Sequence, residues 1–77
     1  MPTVLIEGYK FRFYSTDLNE PPHVHVLRDN KVAKIWLESL IVERNNGYRE
    51  AELNKIVRLV RENRNRLLEV WNDYFGQ

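Results

Sequence analysis

The chain has 77 residues, a hydrophobic content of 43%, a formal net charge of +1 and no cysteine. That length holds one small domain with a modest core, here taken as residues 1–77. The missing cysteines exclude a disulfide framework and a thiolate centre. Near-neutral charge by itself favours no class of partner.

Met1-Pro2-Thr3-Val4 has neither a basic leader nor a long apolar run, so no signal peptide and no membrane span are expected, and a cytoplasmic protein is. Residues 3–7 are rich in β-branched side chains, and Gly8 interrupts them. Residues 9–14 alternate, with Tyr9, Phe11 and Phe13 on one side and Lys10, Arg12 and Tyr14 on the other. Two such runs joined at a glycine read as a hairpin. A polar loop follows from Ser15 to the two prolines.

Pro21-Pro22-His23-Val24-His25-Val26 is the most informative stretch. Prolines cannot donate to a ladder, so they stand at the entry to a strand. Alternation puts His23 and His25 on one face, roughly 6.5–7 Å apart, and the valines on the other. A His-x-His pair suits either metal ligation or acid–base chemistry; the plain alternative is two imidazoles on a solvated strand face. A metal would need a third ligand. Asp17, Glu20 and Glu38 are the nearest carboxylates, no spacing singles one out, and no metal or cofactor is expected.

Asp29-Asn30 marks a turn. Residues 32–37 form a fourth strand, with Ala33, Ile35 and Leu37 opposite Lys34 and Trp36. Leu40-Ile41-Val42 reads as a fifth short strand or a connection, and Asn45-Asn46-Gly47 as a breaker. From about residue 49 to 75 the period becomes helical, with Leu53, Ile56, Val57, Val60, Leu67, Trp71 and Tyr74 at three- and four-residue steps. Glu50 and Glu52 suit the helix start and Gly76 the stop. The fold class is α+β: a small, mostly antiparallel sheet of four to five strands, then a long C-terminal helix, kinked or split.

Two features strain that picture. A helix of that length runs about 40 Å, whereas a six-residue strand covers about 20 Å. Either the chain breaks near Asn63-Arg64-Asn65 and folds back, or a second subunit covers Leu67, Trp71, Tyr74 and Phe75; homo-oligomerisation, as a dimer, is the preferred expectation. Arg64 also falls inside the apolar stripe. It either reaches solvent or marks the break, or it aims at a buried acid, a partner helix or an anionic ligand.

If the helix covers Phe11, Phe13, Val24, Val26, Ala33 and Ile35, the other face shows Lys10, Arg12, Tyr14, His23, His25, Lys34 and Trp36. Basic and aromatic side chains together suit nucleic-acid backbones and bases, and paired imidazoles suit metal-free phosphodiester cleavage. Nothing matches a P-loop, a dinucleotide fingerprint or a hydrolase elbow.

Pro21 to Val26, Ala33-Lys34-Ile35-Trp36-Leu37, Asn63-Arg64 with Leu67-Leu68-Glu69-Val70-Trp71, Tyr74-Phe75, and the opening Met1 to Val4 with Gly8-Tyr9 and Phe13-Tyr14 resemble the DUF4160 family of small bacterial and archaeal proteins. The resemblance points to His23, His25, Lys34, Trp36 and Arg64. It also implies a neighbouring DUF2442 gene and hence a two-gene, toxin–antitoxin-like module. Many members carry a histidine before the two prolines, where this chain has Leu18 and Asn19; that argues against a three-histidine metal site. Many also carry a serine at the helix start, where this chain has Tyr48-Arg49.

The expected function is therefore an RNA-acting component of such a module, with His23 and His25 as acid–base pair and Lys10, Arg12 and Lys34 on phosphates. Trp36 and Arg64 complete the binding set. RNA and an antitoxin or neighbour-gene protein are the expected partners. The alternative is a non-catalytic interaction module that associates through its C-terminal helix.

Overall fold

Alternation, turn chemistry and one helix break build the observed architecture. The structure is a computed structural model and describes residues 2–76; Met1 of the opening motif lies outside them. Five antiparallel strands follow one another in sheet order: β1 (Thr3–Ile6), β2 (Tyr9–Arg12), β3 (His23–Arg28), β4 (Lys31–Trp36) and β5 (Val42–Asn46). Two helices complete the chain, α1 (Glu50–Glu62) and α2 (Arg64–Phe75). No helix among the described residues is long and apolar enough to cross a membrane.

The first hairpin turns on Glu7 and Gly8, both at positive φ (49° and 86°), the backbone a tight right-twisted hairpin requires. The polar loop is more ordered than its composition suggested. Residues Ser15–Asn19 form a 3-10 turn, tied down because Asp17 Oδ2 accepts the Tyr14 backbone N–H at 2.9 Å.

The fifth strand differs from expectation. It runs over Asn45 and Asn46, which pair with Ala33 and Val32, while Leu40 is left in a turn at φ 64°. The asparagine side chain that signals a breaker works locally instead. Asn45 Nδ2 donates to the Tyr48 carbonyl and its Oδ1 accepts the Tyr48 N–H, so the main chain stays free for the ladder. A bulge between Lys34 and Ile35 skips Glu43 in the β5 register.

The long helix is two helices. Asn63 leaves helical geometry (φ −111°, ψ 15°) and closes α1 with both its backbone N–H and its Nδ2 on the Leu59 carbonyl. Its own carbonyl accepts the Leu67 N–H and starts α2. The break turns the second apolar stripe back onto the sheet. Leu67 and Trp71 are thereby buried in the same core as Phe11, Phe13, Val24, Val26, Ala33, Ile35, Ile56, Leu59 and Val60. Two of the residues expected to meet a second subunit, Leu67 and Trp71, are therefore core residues of this chain. Phe75 packs against the core as a half-buried residue, and Tyr74 is 38% exposed.

Candidate functional site

With α1 and α2 on one face, the other face of the sheet is open, and register decides what meets there. One row crosses all five strands: Thr3 pairs with Arg12, Arg12 with His25, His25 with Lys34 and Lys34 with Arg44. Beside it runs a second row, Leu5, Lys10, Leu27, Val32 and Asn46. His23 pairs with Trp36 in a third. Lys10, Arg12, His25, Lys34 and Trp36 thus do share a face, as alternation predicts. Arg44 joins them, a residue that sequence reasoning missed because its strand was misplaced.

The cations of this face differ in availability. Lys10 and Arg44 have no ion-pair partner among the described residues. Arg12 spends only its Nε, on Thr3 Oγ1. Lys34 Nζ sits 2.7 Å from Glu20 Oε1 and 4.9 Å from the Trp36 ring centroid. A pocket of about 420 Å³ opens between Gly8, Lys10, Arg12, Leu27, Arg28 and Asp29. The Arg28 guanidinium turns toward the Tyr9 ring and Glu52, which leaves Lys10 and Arg12 as that pocket's cations. A shallower pocket of about 310 Å³ lies over Pro21, Pro22, Trp36, Glu38 and Ser39. Trp36 forms one wall, its Nε1–H held by Glu43, the residue the bulge releases.

The histidines are not equivalent. Alternation predicts that both face solvent, yet His23 is fully buried while His25 stays partly exposed. His23 stands at the end of the sheet where β2 leaves and β3 enters. There the Trp36 and Trp71 rings approach it at 5.3 and 5.4 Å, and the 3-10 turn closes over it. Its Nδ1 lies 2.9 Å from the Pro21 carbonyl. A carbonyl only accepts, so Nδ1 carries a proton and Nε2 faces Asp17 Oδ1 at 3.1 Å and Glu20 Oε1 at 3.6 Å. Neither contact is aligned as a hydrogen bond, and Nε2 is buried without a partner. His25 Nε2 lies 3.4 Å from Asp17 Oδ2, with the Tyr14 ring edge-on to its imidazole at 4.8 Å.

The expected acid–base pair is revised by this geometry: a fully buried His23 does not exchange protons with a substrate. Burial pushes the His25 pKa below its ordinary value, against the opposing pull of Asp17. Burial also pushes Asp17 up, but the Tyr14 N–H and the two imidazoles outweigh it, so its carboxyl lies below the usual range. Of the three carboxylates sequence reasoning could not separate, Asp17 is the one the 3-10 turn delivers between both histidines. Asp17, His23 and His25 each place one donor atom within 4.8 Å of the others.

Arg64 leaves the binding set. Its Nε donates to the Leu37 carbonyl at 2.8 Å and its terminal nitrogen to the carbonyl of Glu38. It anchors α2 to the end of β4.

An antiparallel five-stranded meander backed by two helices, with a cationic open face and a buried imidazole–carboxylate cluster at one end, defines a small α+β domain. The chain belongs to the family described as "Domain of unknown function (DUF4160)", whose model matches residues 8–72. No curated protein and no solved structure matches it.

Proposed function

We propose that this chain is a cytoplasmic, RNA-acting component of a toxin–antitoxin-like two-gene module, and that it holds single-stranded RNA across the open face of its sheet. The observation that carries the reading is the unbroken register row Arg12–His25–Lys34–Arg44 with Lys10 beside it. Adjacent strands lie about 4.8 Å apart, so the row offers a cationic track some 14 Å across, with Trp36 at its margin as a ring on which a base can stack. Phosphate contacts give affinity without sequence selection, which suits a face with few side-chain amides. The two-gene setting is what the family resemblance implies; the protein from the neighbouring gene would then compete for the same face or cover it.

Fluorescence anisotropy with a labelled single-stranded RNA tests this. Single strands lose about 0.7 in the log–log salt slope per phosphate neutralised. Lys10, Arg12 and Arg44, the cations of this face without an acidic partner among the described residues, therefore give a slope of about −2, and the Arg12→Ala, Arg44→Ala double variant cuts it to about −0.7. Absence of binding at low salt, or binding indifferent to salt, rejects the reading. In the cell, induced wild type should slow growth and the folded double variant should not.

A further inference from the structure

We infer that Asp17, His23 and His25 form a binding site for one divalent transition-metal ion of the zinc class. The inference stands on these three residues alone and does not rest on the RNA reading.

Distances come first. Metal–nitrogen and metal–oxygen bonds to such an ion are about 2.0–2.1 Å, so two ligand atoms on a tetrahedral centre lie about 3.3 Å apart. Asp17 Oδ1 is 3.1 Å from His23 Nε2 and 3.5 Å from His25 Nε2. Both separations are close to that spacing, and one ligand atom from each of the three residues lies within 4.8 Å of the others.

The second observation is the state of His23. Metal-ligating histidines donate the N–H of one ring nitrogen to a carbonyl or carboxylate and offer the other to the ion. His23 Nδ1 does this on the Pro21 carbonyl, at 2.9 Å. The offered nitrogen, Nε2, belongs to a side chain with none of its surface exposed and has no hydrogen-bond partner. A buried polar atom without a partner is destabilising, and its misalignment with Asp17 Oδ1 fits two ligand atoms aimed at a common third point rather than at each other. The Trp36 and Trp71 rings, with the Pro21 contact, hold that imidazole in one orientation.

Charge and access agree. Asp17 and Glu20 both face His23 Nε2; Glu20 shares its Oε1 with Lys34 Nζ, so Asp17 is the carboxylate that brings unshared negative charge to the ion. The Asp17 side chain is 9% exposed, that of His25 18% and that of Glu20 47%. The cluster is therefore closed on the His23 side and open on the other, which gives the ion a route in and leaves Glu20 or a water to complete its shell. Two imidazoles with one carboxylate favour zinc, cobalt, nickel or iron(II) over magnesium or calcium.

The test uses the full chain, stripped with a chelator and titrated with Co²⁺ and Zn²⁺ in the absence of RNA. Co²⁺ should give visible d–d absorption saturating at one ion per chain. Zn²⁺ should displace it and raise the Tm, and Mg²⁺ should do neither. Because His23 is fully buried and its removal would open a cavity, the variants are Asp17→Asn, which keeps the acceptor for the Tyr14 N–H, and His25→Ala. Each should weaken Zn²⁺ binding at least tenfold while circular dichroism shows a folded protein. Folded wild type that gives no d–d bands and no Zn²⁺-dependent Tm change at millimolar metal overturns the proposal. So does metal binding that both variants retain undiminished.

Discussion

Arg64 donates a 2.8 Å hydrogen bond from Nε to the Leu37 carbonyl and a second bond from its terminal nitrogen to the carbonyl of Glu38. One guanidinium thus fixes the start of α2 against the end of β4, beside the turn where Leu40 sits at φ 64°. Hydrogen bonds to charged groups contribute about 1.5–3 kcal/mol. Arg64→Ala is expected to lose about that much in urea unfolding, with RNA affinity unchanged once the protein is folded. Arg64→Lys should recover little, since an ammonium lacks the fork that reaches two carbonyls.

Trp71 separates core from interface. Its ring packs edge-on to Phe13 at 5.8 Å and is 5% exposed. Large-to-small changes of a buried tryptophan cost about 3–5 kcal/mol, much of the stability available to a domain of this size. Trp71→Ala should therefore unfold or nearly unfold the chain at every protein concentration. A variant that stays stable but loses self-association would return Trp71 to an intersubunit role.

Alkaline stability should report Tyr48. Its hydroxyl donates to the Val26 carbonyl at 3.1 Å, and burial pushes its pKa up from 10.0 to about 12. The unfolded chain ionises first, so the contribution is intact below pH 10 and is lost as pH rises toward 12. Tyr48→Phe should flatten that limb of a Tm-against-pH curve. It should also cost about 1 kcal/mol at neutral pH, because the Val26 carbonyl loses its donor.

Acid stability should report Glu52. The Tyr9 hydroxyl, bonded to its carboxylate at 2.7 Å, is the first cause holding its pKa below the ordinary 4.5, and Lys31 adds to it. A depressed carboxyl stabilises the fold above pH 4.5, and the contribution disappears as pH falls through the folded value. Glu52→Gln should make the acid limb shallower, measured by thermal melts from pH 6 to pH 3.

Four strands, the faces of Lys10, Arg12, Lys34 and Trp36, and the apolar stripe of the helices were legible, because periods of two and 3.6 depend only on local geometry. The rest depended on tertiary placement. Asn45 and Asn46 look like a breaker by composition, yet their backbones pair with Ala33 and Val32 while the Asn45 side chain serves Tyr48. Alternation puts His23 on the same face as His25, but nothing local announces that Trp71 and a 3-10 turn close over that end of the sheet and bury it. Asp17 became distinct from Glu20 and Glu38 only once that turn was formed. The pattern marks residues 63–65 as a place for a break and shows that Leu67 and Trp71 need covering, but it favours a second subunit for that role; Asn63 instead lets the chain cover them itself.

Under the proposed function the open face holds RNA. Chemical-shift mapping of the isotopically labelled protein with a short single-stranded RNA tests it most directly. Binding on the sheet should concentrate the shifts at Lys10, Arg12, His25, Lys34 and Arg44 and at the Trp36 indole N–H, with α1 and α2 quiet. Shifts confined to the helices, around Leu68, Tyr74 and Phe75, or no shifts at low salt, would contradict it.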